Sequence, residues 1–170
     1  MAPKNSKEKL LIAKIIASTV KLLEKWNSLV SEGKPLIQDI VASEKSDEFS
    51  FHLQEKCNKL SEILPQFELI IKEISVSKDK LSSAHDLSNL SLDSSSLESS
   101  SNSDLSHFEV ILAKLEVQFQ LMKDVTEKIG FEKSSEKSIF LACSWTLQPY
   151  LDDEYFLSLE YLKNNGEIRF

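Results

Sequence analysis

Between residues 53 and 74, apolar side chains recur in alternating steps of four and three, at Leu53, Cys57, Leu60, Leu64, Phe67, Ile71 and Ile74. Residues spaced in this way share one face of a helix, whereas in a strand they would be split between both faces. A second such seam runs through Ile12, Ile15, Thr19, Leu22, Trp26 and Leu29, widened by Ile16, Leu23 and Val30, and predicts a helix over about 6–31. A third, with Phe108, Leu112, Leu115, Phe119, Met122 and Val125, predicts a helix that Asp104 caps and Gly130 stops. Seams of this kind are buried by helix packing on helix, so the chain reads as all-α. Three glycines and four prolines among 170 residues leave little material for a turn-rich sheet protein.

Punctuation between the seams sets the expected boundaries. Gly33-Lys34-Pro35 should end the first helix, with Leu36, Ile37, Ile40 and Val41 forming a further short apolar face. Pro65 lies inside the second periodic segment, about 47–81, and predicts a kink or two helices end to end. Residues 82–103 contain eleven serines and only scattered leucines, so a flexible linker is expected there. Its Ser95 and Ser101 each have an acidic residue three positions later, which allows acid-directed phosphorylation. Ser134 or Ser135 should open a fourth helix with Ile139, Phe140, Ala142, Cys143 and Trp145 inward. After Pro149, Asp152 should cap a fifth with Tyr155, Phe156, Leu159 and Leu162 inward. Pro149 is expected to hold Gln148 extended, with Trp145 and Tyr150 packed on either side of the ring.

The expected organisation is thus a helical hairpin over 1–81, a linker over 82–103, and C-terminal helices over 104–170 that pack with the N-terminal part as a single domain. The whole is an elongated hairpin or coiled-coil-like bundle of three long helices with a short C-terminal helical pair.

Chemistry is sparse. His52, His85 and His107 are isolated, with no second ligand at helical spacing, so no metal is expected and the histidines read as surface residues. Glycines scattered at 33, 130 and 166 cannot form a phosphate cradle, so no nucleotide or other cofactor is expected. Asp152 and Asp153 are explained by helix capping without acid/base work. Cys57 and Cys143 lie in apolar stripes and read as small buried hydrophobes of a reducing compartment. No signal peptide of the usual form and no membrane span is visible. The net charge is −7, from 20 basic and 27 acidic residues with a single arginine, which disfavours direct nucleic-acid binding. No enzyme is expected. The first helix carries more apolar surface than one face needs, which makes Ile12, Ile16 and Leu23 candidates for a partner face. Trp26 and Trp145 fit core packing and partner anchoring equally well.

The least generic stretch is Trp145-Thr-Leu-Gln148-Pro149-Tyr150-Leu151, followed at once by Asp152-Asp153-Glu154 and a short amphipathic run. With Leu22-Leu23-Glu24-Lys25-Trp26-Asn27-Ser28-Leu29, closing at Gly33, and with Leu60-Ser61-Glu62 and Lys80-Leu81-Ser82-Ser83, it resembles the cyclin-dependent kinase 2-interacting protein family. These blocks occur in the family's order and cover most of the chain outside the serine-rich stretch. The resemblance implies a nuclear, non-enzymatic adaptor in a chromatin-associated complex built on AAA+ ATPases, with a second small helical subunit as direct partner. It also implies links to cyclin-dependent and checkpoint kinases, DNA replication and ribosome maturation. The candidate partner-binding residues are then Ile12, Ile16, Leu23, Trp26 and Trp145, together with Gln148, Pro149 and Tyr150 of the C-terminal block. The chain has no Ser-Pro, Thr-Pro, Ser-Gln or Thr-Gln, so meeting such kinases as a binder is expected more than as a consensus substrate. The competing expectation is a coiled-coil structural subunit of a kinetochore or tethering complex.

Overall fold

The computed structural model describes residues 3–43, 50–89 and 97–167. Five helices account for nearly all of them: α1 (Pro3–Ala42), α2 (Phe51–Asn89), α3 (Leu97–Lys128), α4 (Ser135–Leu147) and α5 (Asp153–Gly166). Helix α1 packs on α2, and α2 on α3. Both α4 and α5 pack on α1 and on α3, while α1 does not pair with α3 nor α4 with α5. Four positions around one core satisfy this pattern, with α4 and α5 placed end to end in the fourth. Cross-links fix the directions. Asp39 meets Lys56, Lys78 meets Glu109, and Lys114 meets Asp152, so successive positions run antiparallel. The expected bundle of three long helices with a short C-terminal pair is what forms. No helix among the described residues is long and apolar enough to cross a membrane.

Gly33-Lys34-Pro35 was expected to end the first helix and Pro65 to kink or divide the second, and neither proline ends a helix. Helix α1 runs through Gly33 and Pro35, and α2 through Pro65. Both rings are exposed, and the carbonyls that lose their partners belong to exposed Ser31 and Ser61, so the lost hydrogen bonds fall on the solvent side of each helix. Gly33 has no left-handed backbone to supply a cap. It is instead a buried helical position, and the seam through it is unbroken: Ile16, Thr19, Leu23, Trp26, Val30, Gly33, Ile37 and Ile40 alternate steps of three and four. Ile16, Leu23, Trp26, Ile37 and Ile40 are essentially inaccessible.

The expected linker shrinks from both sides. Helix α2 continues to Asn89, burying Leu81, Ala84 and His85, and α3 starts at Leu97. Asp104 is therefore no cap; it is a buried residue inside α3. Residues 90–96, including Ser95, lie outside the described residues. At the other helix starts the expected caps are present. Ser134 Oγ accepts from Lys137 N, and Asp152 Oδ1 accepts from Tyr155 N at 3.3 Å. Lys114 donates to Asp152 at 2.6 Å and pairs with Glu154 at 3.1 Å, tying α3 to the first turn of α5. That hydrogen bond holds the Asp152 carboxyl below its ordinary range.

Candidate functional site

The residues that single out this sequence converge where α4 gives way to α5. Trp145 lies fully buried against α1. Its indole Nε1 donates to the Val30 carbonyl at 3.1 Å, and its ring meets Phe67 of α2 edge-on, with centroids 5.8 Å apart at 83°. Phe67 in turn takes Trp26 edge-on at 4.6 Å. Trp26 Nε1 donates to Gln148 Oε1 at 2.9 Å, closing a ring of contacts between residues 122 positions apart. The space for Trp145 exists because Gly33 has no side chain. A Cβ there would stand 2.4 Å from Trp145 Cζ2, well inside contact distance.

Gln148 does not adopt the extended backbone expected before a proline. It is left-handed, with φ 49° and ψ 61°, and caps α4. Its side chain explains the departure. Nε2 donates to the Trp145 carbonyl at 2.5 Å and reaches Met122 Sδ at 3.5 Å, while Oε1 takes the Trp26 proton. Its own carbonyl accepts from Leu151 N at 2.9 Å. A second buried amide, Gln118 of α3, holds the other side of this corner: Oε1 accepts from Tyr150 N at 3.0 Å, and Nε2 reaches the Ser144 carbonyl. Buried amides are costly unless each polar atom is used, and here the two glutamines use all of theirs to fix one corner. Gln118 was missed in the sequence, although it sits between Leu115 and Met122 at core spacing.

The candidate residues therefore divide. Ile16, Leu23, Trp26, Trp145 and Gln148 are interior, Ile12 is half-buried, and Pro149 and Tyr150 are exposed. Tyr150, expected to pack against the proline opposite Trp145, is exposed. The apolar excess left on α1 is Leu10 and Leu11. Conversely, Ile139, Phe140, Cys143 and Phe156, all expected inward, face outward. Helix α4 bears apolar residues on every side, and with α1 and α3 covering only one half of it the others remain outside.

A polar cluster lies nearer the end of α5. Asp104 Oδ1 accepts from Tyr161 OH at 2.9 Å, and Oδ2 stands 3.5 Å from Nε2 of His85 on α2. His107 Nδ1 is 2.9 Å from Ser158 Oγ, and its ring stacks on Tyr161 at 4.0 Å. His85 is thus a buried residue and not the surface histidine expected. Burial pushes the Asp104 carboxyl up, opposed by the Tyr161 hydroxyl and the two histidines. A raised folded-state value means that the native state binds its proton more readily. This contribution to stability is present below the unfolded value and is lost as pH rises through the folded one. Asp104→Asn keeps an acceptor for Tyr161 and offers a donor to His85. It should raise Tm at pH 7 and flatten the decline in stability above pH 4, as followed by thermal melts across pH. An unchanged slope would mean that Asp104 does not set it.

Among the described residues, no group of three or more His, Cys, Asp or Glu side chains is placed to hold a metal ion. Grooves are open and partly apolar. One lies between α1 and α2, where Leu11, Val76 and Leu87 meet, and another between α1 and α4, lined by Lys34, Gln38, Val41, Ile139, Cys143 and Leu147. Compared with protein families and with curated proteins, the chain gives no match.

Proposed function

We propose that this chain is a non-enzymatic adaptor or scaffold subunit of a nuclear, chromatin-associated assembly built on AAA+ ATPases, as in the cyclin-dependent kinase 2-interacting protein family it resembles. A second small helical subunit would be its direct partner, and its work would touch replication, checkpoint signalling, cyclin-dependent kinase binding and ribosome maturation. The observation that supports this reading most is the hydrogen bond from Trp26 Nε1 to Gln148 Oε1. It joins the N-terminal and C-terminal blocks on which the resemblance rests, and Gly33 of the first block makes room for Trp145 of the second. The two blocks on which the resemblance rests thus meet in one core. The reading as a coiled-coil subunit of a kinetochore or tethering complex gains less support, because the heptad seams it would use between chains are closed within this one.

Affinity purification from native cells followed by quantitative mass spectrometry tests the proposal. AAA+ ATPase subunits and one small helical protein are expected in amounts comparable to the bait. Kinetochore or tethering subunits in their place would overturn it.

A further inference from the structure

The outward sides of α4 and α5 repeat one pattern. On α4, residues 136, 139, 140, 143 and 147 are exposed, and on α5 residues 153, 156, 157, 160 and 164 are exposed, the same helical spacing in both. Each stripe begins with a carboxylate, Glu136 or Asp153, and places a large apolar pair three and four residues later, Ile139-Phe140 or Phe156-Leu157. These side chains are far from satisfied: Phe140 is 68% exposed, Leu147 74% and Leu157 66%. Large apolar side chains clustered on one side of a soluble bundle mark a surface that something covers. The charges say of what kind. Glu136, Asp153 and Glu160 stand along the middle of the stripes, and Glu167 continues the line from Asp153 and Glu160 at seven-residue steps, while the cations, Lys34 and Lys137 beside α4 and Lys21 and Lys163 beside α5, lie at the edges.

We infer that the outer face of α4 and α5 is the docking surface for a basic amphipathic helix of another protein. The helix would lay its apolar side chains on Phe140, Leu147, Phe156 and Leu157, with lysines or arginines at about heptad spacing against Glu136, Asp153 and Glu160. This is the helix-on-helix mode in which an apolar spine gives affinity and flanking charges set partner and register. A second copy of this chain fits poorly, since its own face would bring the same central carboxylates against these. The stretches of this chain outside the described residues are no longer than seven residues and hold only two basic residues, Lys45 and Arg169. They cannot supply a basic helix. The inference rests on the adaptor reading and names the surface and the partner chemistry for it.

The test uses the full chain and a synthetic helical peptide of four heptads, leucine at the two seam positions and lysine at the flanking ones, with a glutamate-flanked peptide as control. In fluorescence anisotropy the lysine peptide should bind more tightly than the glutamate peptide, and added salt should weaken it. Phe140→Ser with Leu157→Ser should weaken binding at least about tenfold while circular dichroism stays unchanged, since both side chains are exposed. Leu11→Ser with Val76→Ser, in the α1–α2 groove, should leave binding within about twofold of the wild type. Asp153→Lys with Glu160→Lys should exchange the preference between the two peptides. Equal loss from both serine pairs, no loss from the α4–α5 pair, no exchange of preference, or self-association of the wild type through this face in sedimentation equilibrium would each overturn the inference. The two proposals fail separately. Native purification that recovers no ATPase sinks the adaptor reading alone, and ATPase recovery undiminished by the Phe140/Leu157 pair sinks the surface alone.

Discussion

Replacing Trp145 with alanine is expected to destabilise the bundle by about 3–5 kcal/mol, the range for deleting a fully buried large aromatic side chain. Three losses contribute. The indole is wholly inaccessible, so its removal leaves a hole bounded by Gly33 and Phe67 that neighbouring helix backbones cannot close. The Val30 carbonyl loses the donor 3.1 Å away. Gln148, whose Nε2 donates to the Trp145 carbonyl, loses the packing that holds the corner before α5. For a chain of this size each kcal/mol shifts the melting temperature by roughly 2–4 °C, so a fall of about 6–20 °C is expected in thermal melts. A variant that melts within 2 °C of the wild type would place Trp145 outside the core.

Gly33→Ala should also destabilise the protein, although helix propensity alone argues the reverse. In an exposed helix interior the exchange gains roughly 0.8–1 kcal/mol. Here the added methyl carbon would lie 2.4 Å from Cζ2 and 2.7 Å from Cε2 of a ring that is itself enclosed, so α1 and α4 must separate. Overpacking of this kind costs typically about 1–3 kcal/mol, enough to outweigh the propensity gain. Urea denaturation should show a lower midpoint with an unchanged slope. A raised midpoint would mean that the ring has room to move.

The three long seams were legible because periodicity reports which face is buried whatever covers it. Their ends were not, because glycine and proline were read by local rules alone. Gly33 is small for the sake of Trp145, 112 positions away, and no local rule carries that information. The phase could have. Steps of three and four run from Ile16 to Ile40 without a slip, as they would not across a true helix end. The corner was legible in its caps and its stop, but the left-handed Gln148 depends on Trp26, Trp145 and Met122 from three helices. The serine-rich stretch looked unstructured by composition, yet Leu81, Ala84 and His85 hold the end of α2 in place by burial. The outward face of α4 was misread for a simpler reason. An all-round apolar helix leaves its buried side undetermined until its neighbours are known.

The central claim is that the two distinctive blocks of the sequence close the bundle by fitting Trp145 against Gly33. The double-mutant cycle between these positions tests it most directly, with unfolding free energies measured for the wild type, Gly33→Ala, Trp145→Ala and the double variant. With the ring removed, the methyl group has nothing to strike, so Gly33→Ala should turn from destabilising to stabilising by its propensity gain. The predicted coupling is then on the order of 2 kcal/mol or more. Free energies that add to within about 0.5 kcal/mol would contradict the account, because two residues packed as described cannot act independently.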